Sequence, residues 1–386
     1  MLRGEDGERE NGVVDADRTS TAGGGLPPDL PGTGPIGRWV ATLDPVWFAW
    51  VMASGIISIG TELLGYHLLS EIALWVTEAA FVVLIVAYGT RAIAFREQFQ
   101  GSLRDPRKAM AFFTVVAGSN VLGVRLVMAG HPLVGLALGA GAVLVWLALT
   151  YGLPAYVITG ARHPVLGDIN GTWLVWVVAT QSVAVIAAAL APVAPWSPFR
   201  RALPTVAVTF WSIGVTLYLV LIVVVLLRLL LVEITPGEMG GAYWITMGAT
   251  AISVRAAAGI LVVQNQPGDT LVHQMRPLLV DLSVVLWAFG TWWIPLLVLL
   301  GLWRYLLRRY PLSFEPGLWS VVFPLGMYTV ASVSLGRAAN LGFMVTVARG
   351  WLWVGVAAWA AVLVLMLVSL GQALRRGSAR GASLVD

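Results

Sequence analysis

Ionisable side chains inside the long apolar stretches of this chain include Glu62, Glu78, Arg125, Arg255 and Asp281. A charge at bilayer depth costs about 2.5–3.5 kcal/mol on insertion scales, so each is a candidate for an ion path, a proton relay or a packing pair. At ~1.5 Å per helical residue, Glu62, Arg125 and Arg255 each stand about 25 Å from the start of their segments and share a level. One acid against two bases leaves positive charge over, which makes Arg125 and Arg255 candidates for attracting anions. Glu62, Glu78 and Asp281 are candidates for proton coupling or counter-charge. A plainer reading pairs Glu62 with one arginine to fix packing, and reads Arg337, further out, as a stem that reaches back to the interface. Other chemistry finds no support. There is no cysteine, which removes disulfides and thiolate chemistry. His67, His131, His163 and His273 lie in loops or at segment ends without metal-ligand spacing, so no metal and no cofactor are expected. No phosphate loop or nucleophile set points to an enzyme.

The segments that carry these residues are membrane spans. The 386 residues are 58% apolar and only 11% charged, and mean hydropathy is +0.82. A soluble domain is nearer a quarter charged. The isoelectric point near 9.6 is not a nucleic-acid signal, because the basic residues sit in short loops between apolar segments. Ten segments of spanning length are expected at 45–66, 71–95, 109–130, 133–158, 171–191, 203–231, 239–263, 277–303, 316–337 and 350–372. Residues 1–40, rich in Gly, Pro and mixed charge, are expected to be a disordered cytoplasmic tail. Residues 41–372 form the transmembrane domain, and 373–386 a short cytoplasmic tail. Fourteen Lys/Arg on one side of the spans against five on the other place both termini in the cytoplasm of a plasma-membrane protein. The 18 Trp fit interfacial anchoring.

The odd-numbered segments share a grammar of aromatic residues followed by small and polar ones. Examples are Trp47-Phe48 then Ala53-Ser54-Gly55, Phe112-Phe113 then Gly118-Ser119-Asn120, and Trp173 and Trp176 then Thr180-Gln181-Ser182. Tyr243-Trp244 precede Gly248-Ala249-Thr250, and Trp319 precedes Phe323-Pro324-Leu325-Gly326. The even segments are richer in Leu, Val and Trp. Five tandem helical hairpins account for this, with odd helices packed inward and even ones facing lipid. Ser58, Ser119, Asn120, Thr180, Gln181, Thr250, Ser253 and Thr329 would then be pore-lining donors for a partly dehydrated anion. Pro324 is expected to kink the ninth helix. Small residues at this spacing also fit a tight bundle with no pore.

Four stretches carry a resemblance: Pro45–Ile56, Asn170-Gly-Thr-Trp173, Gly290-Thr-Trp-Trp-Ile-Pro295 and Gly317–Thr329. In this order within ten spans they resemble the tellurite-resistance/dicarboxylate transporter family. That family includes bacterial tellurite-resistance proteins, fungal malate permeases and sulfite pumps, and slow-type plant anion channels. The resemblance implies an all-α integral membrane fold, five hairpins in quasi-fivefold arrangement around a central pore, in a homotrimer in the lipid bilayer. It also implies that Phe323 is the pore gate and that small anions are the partners. The fifth helix lacks the proline-rich run of the malate and sulfite branch after Asn-Gly-Thr-Trp, which weakens transfer of those substrates.

The expected function is therefore an anion channel or passive anion transporter. The alternatives are a proton-coupled exporter of dicarboxylate, sulfite or tellurite-type oxyanions, and a membrane enzyme or scaffold with a closed bundle.

Overall fold

An apolar helix in lipid satisfies its backbone internally, so windows as long as those above become helices. The computed structural model describes residues 34–160, 163–263 and 270–382, and among them ten helices are long and apolar enough to span. They are Pro45–Leu63, His67–Ala94, Pro106–Met128, Pro132–Thr159, Gly171–Leu190, Ser197–Leu231, Gly241–Val262, Thr270–Leu307, Pro316–Ala338 and Gly342–Ala373, called here the first to tenth spans. The eighth and tenth start seven and eight residues before the sequence-based positions, because a helix continues past the end of its apolar window. Pro277, expected near a helix start, lies inside the helix.

The odd and even spans differ in burial as the composition suggests. The odd spans are 78–89% buried over their apolar windows, and the even ones 22–39%. Each odd span packs on the even span that follows it. The first also packs on the third, the third on the fifth, the fifth on the seventh, the seventh on the ninth, and the ninth back on the first, so the inner helices close a ring. Every inner span carries a 3₁₀ turn at or near its start: Pro45–Phe48, Met110–Phe112, Gly171–Leu174, Gly241–Trp244 and Pro316–Leu318. These five turns touch in the same cyclic order. The closeness needs glycine, since a Cβ on Gly171 would run into the Ala242 carbonyl and one on Gly241 into the Gly317 carbonyl.

Tryptophans join the hairpins. Trp146 Nε1 on the fourth span donates to Thr180 Oγ1 on the fifth (2.9 Å), and Trp211 on the sixth to the Ser253 carbonyl on the seventh (3.1 Å). Trp287 on the eighth donates to Ser332 Oγ on the ninth (2.8 Å), and Trp359 on the tenth to Ser54 Oγ on the first (2.9 Å). In each case an outer span is bonded to the inner span of the next hairpin. These four indoles are joints between hairpins rather than the interfacial anchors expected for them.

Residues 1–33 of the expected N-terminal tail, Arg162, and residues 383–386 lie outside the described residues. Within the expected tail, Pro35–Ala41 is a helix. It is held because Val40 and Leu43 pack with Phe48 and Tyr88, while Arg91 donates to the Ala41 carbonyl (3.2 Å). At the other end, helix continues from the tenth span through Ala382, so no helix end marks the boundary expected at 372.

Candidate functional site

Where the five inner spans converge they leave a small cavity. Its walls are Ile56 and Ile59 of the first span, Asn120, Val121 and Val124 of the third, and Ser182 and Val185 of the fifth. Ile252 and Arg255 of the seventh and Met327 and Val330 of the ninth complete it. The space open to water centres is about 10 Å³, close to what one water molecule requires. Its walls are aliphatic apart from Met327 and three polar residues, Asn120, Ser182 and Arg255.

Arg255 sets the electrostatics. It has no hydrogen bond or ion pair to any of the described residues. Its Nη1 lies against Gly259 one turn on, where a Cβ would stand only 2.9 Å away. Arg255 is partly buried, and the buried arginines of the chain's described residues all have partners. Arg91 donates to Ala41, Gln98 and Ser102, and Arg228 to the Val232 and Glu233 carbonyls. Arg304 donates to the Met239 carbonyl (2.9 Å) and pairs with Glu315 (2.7 Å). No acid lines the cavity, so the Arg255 charge is uncompensated there.

Arg125, put forward with Arg255 as attracting anions, is placed differently and is paired with carboxylates. It is 2% exposed and turned to the second span, with Glu71 at 3.0 Å, Glu62 at 3.4 Å, Ser58 at 2.9 Å and Ser70 at 3.0 Å. Two carboxylates neutralise it, and the cluster joins the first and second hairpins where the other junctions use tryptophan. Glu62, which also meets His67 at 3.1 Å, is thus a counter-charge. Glu71 was not legible as a partner, because it lies one turn into the second span among interfacial residues. Glu78 is half-buried and Asp281 exposed, both on outer spans and away from the cavity.

Of the eight expected pore-lining polar residues, Asn120 alone lines the cavity. Thr180 and Gln181 face outer spans, Gln181 donating to the Trp211 carbonyl at 3.1 Å. Ser58 is bonded to Ser70 (2.8 Å), and Thr250 packs at Gly290 of the eighth span. Ser119, Ser253 and Thr329 donate to carbonyls one turn back in their own helices. Ser182 takes the place expected for Thr180 and Gln181. It accepts from Asn120 Nδ2 at 2.8 Å and donates to the Ala179 carbonyl at 2.7 Å. Four consecutive small or polar residues, 179–182, gave no way to choose the axial one before the helix azimuth was known.

Phe323 is 1% exposed and sits four residues before Met327, one turn from the cavity on the same helix face. Pro324 lies inside a helix that runs unbroken over Trp319–Ala338, and its ring rests on Gly248 of the seventh span.

The model of the voltage-dependent anion channel family, SLAC1, matches residues 42–367, a range that holds nine of the ten spans whole and most of the tenth. The chain belongs to that family. The relation expected from the four sequence stretches is thereby established. Among relatives of this family member, an uncharacterized membrane protein of Mycobacterium tuberculosis is 40% identical over 171 residues, 43% of this chain and 85% of the relative. An uncharacterized transporter of Methanocaldococcus jannaschii is 25% identical over 331 residues, covering 83% of this chain and 91% of that one. A sulfite efflux pump of Arthroderma benhamiae is 24% identical over 336 residues, 79% of this chain and 85% of the pump. This anion channel family member is a multi-pass membrane protein, and the whole inner ring, from Pro45 to Ala338, falls inside the matched residues.

Proposed function

We propose that this family member passes small anions downhill along the axis enclosed by its five inner spans, with Arg255 as the charge that draws them in. The carrying observation is the unpartnered Arg255 guanidinium at a cavity that all five inner spans line and no acid enters. A cation left uncompensated in an apolar bundle is costly unless a mobile anion visits it. Asn120 Nδ2 and Ser182 add weak polarity without a strong trap, which suits conduction. Phe323 is proposed as the gate, one turn from the cavity and on its face. Sulfite-type oxyanions join chloride and nitrate as candidate substrates because of the fungal pumps' names. A cytoplasmic location for both termini, the plasma membrane and a homotrimer complete the proposal, supported by the Lys/Arg asymmetry and the family resemblance.

Passive flow is favoured over proton coupling by the positions of the acids. Glu62 is spent on Arg125, and Glu78 and Asp281 stand on outer spans. The test is planar-bilayer recording of the purified chain with chloride, nitrate, sulfite and malate. Arg255→Ala is expected to lower anion conductance about tenfold, a loss of ~1.4 kcal/mol. Wild-type protein that carries no anion current, or a current indifferent to Arg255→Ala, would overturn the reading.

A further inference from the structure

Beyond the cavity, on the other side of Phe323, the start of the ninth span carries hydrogen-bond donors with nothing to donate to. Ser320 is 2% exposed, and its Oγ is the one buried hydroxyl among the described residues without a partner. Helical Ser and Thr normally donate to a carbonyl one turn back. Ser119, Ser253 and Ser283 in this chain do so. For Ser320 the carbonyl four residues back is that of Pro316, in the 3₁₀ turn before the helix, and the Ser320 hydroxyl does not bond to it. Beside it, Trp319 is fully buried and its Nε1 is also unpartnered. Trp319 stacks on Trp50 of the first span at 6.1 Å and 21°, and the Trp50 Nε1 is unpartnered too.

Helical phase aims these groups. Trp319 and Ser320 precede Phe323 by four and three residues, Phe323 precedes Met327 by four, and Met327 and Val330 line the cavity. Residues at such spacings share one face. Ser320 and Trp319 therefore lie on the axial stripe of the ninth span, one turn on the far side of Phe323 from the cavity. The helix begins here, so its dipole is positive at this point. No acid stands in its first turn, and the preceding Glu315 is engaged by Arg304.

We propose that Ser320 Oγ and Trp319 Nε1 form a second anion station, separated from the Arg255 cavity by the Phe323 ring. The ligand class is a small monoanion with acceptor oxygens, bound by neutral donors and a helix N-terminus. This inference rests on the permeation reading and extends it to a two-station path, in which the neutral station receives anions and the cationic one lies beyond the ring.

Nitrate serves as the probe. The full chain is labelled with indole-¹⁵N tryptophan, placed in phosphatidylcholine nanodiscs and titrated with sodium nitrate, the Trp319 signal being assigned by Trp319→Phe. A saturable shift of that signal is expected. Ser320→Ala should weaken the apparent affinity about three- to tenfold, the worth of one hydrogen bond, and Ser320→Thr, which keeps the hydroxyl, should restore it. Arg255→Ala should leave the Trp319 titration within about twofold while lowering nitrate current. A Trp319 signal indifferent to nitrate, or an affinity indifferent to Ser320→Ala, overturns the station, and does so even if wild-type current and its dependence on Arg255 stand. Absent current with an intact Trp319 titration would instead sink the permeation reading alone.

Discussion

Two arginines at one membrane depth have opposite fates, and the difference lies in their neighbours. Arg125 holds two carboxylates and two hydroxyls within 3.4 Å, so removing it strands acids at a helix junction. Arg125→Ala is expected to cost about 3 kcal/mol, the low end for a broken buried pair because Glu71 is half exposed. Thermal unfolding in detergent should show that loss, while Arg255→Ala, which breaks no bond in the protein, should melt at or above the wild-type temperature. Equal destabilisation by the two substitutions would mean that Arg255 has a structural partner. The conductance deficit of Arg255→Ala should also be larger in about 10 mM than in about 1 M salt, where screening shortens from ~30 Å to ~3 Å. A salt-independent deficit would count against attraction of anions through space.

Helices in this chain are joined by indole hydrogen bonds to polar positions of the inner spans, two of which, Thr180 and Ser253, the sequence offered as pore lining. Ser54, Thr180 and Ser332 each accept an indole N–H from the preceding hairpin, and the Ser253 carbonyl does the same. A double-mutant cycle on Trp359→Phe and Ser54→Ala should give a coupling of about 0.6 kcal/mol, typical of interhelical hydrogen bonds in lipid. Coupling indistinguishable from zero would leave shape, not bonding, as the joint. The ninth span illustrates a second device, with the Pro324 ring seated on Gly248 at a spacing that leaves 2.9 Å for any added Cβ. Gly248→Leu should therefore displace the Phe323–Pro324 turn and change conductance without touching the cavity wall, a result readable by bilayer recording against Gly301→Leu, whose site is open.

At the scale of the molecule, the ring is closed by contact between the first and ninth spans and by Trp359 reaching Ser54 across 305 residues. The space left between the inner spans is fit for about one water, and the proposed function places the Phe323 ring one turn from it as the gate. Phe323→Ala is accordingly expected to raise anion current severalfold. An unchanged or smaller current in well-folded variant protein would remove Phe323 as the gate and place the barrier at Ile56, Ile252 and Met327.

The sequence by itself determined the class of this protein, its ten spans, and the division into inner and outer helices. Each follows from local composition and the period of the helix, which need no partner to be read. It also put Phe323 and Arg255 forward, since an aromatic beside a proline and a charge inside a span are conspicuous wherever the chain goes. What it left undecided was azimuth. Thr180, Gln181 and Ser182 are equivalent in composition, and Arg125 and Arg255 are equivalent in depth. Only ring closure showed that Gln181 turns to Trp211, Ser182 to the axis, and Arg125 to Glu71. A rotation of about 100° per residue separates a cavity wall from a helix joint. That rotation is fixed by contacts between segments far apart in the chain, which is why tertiary structure decided it.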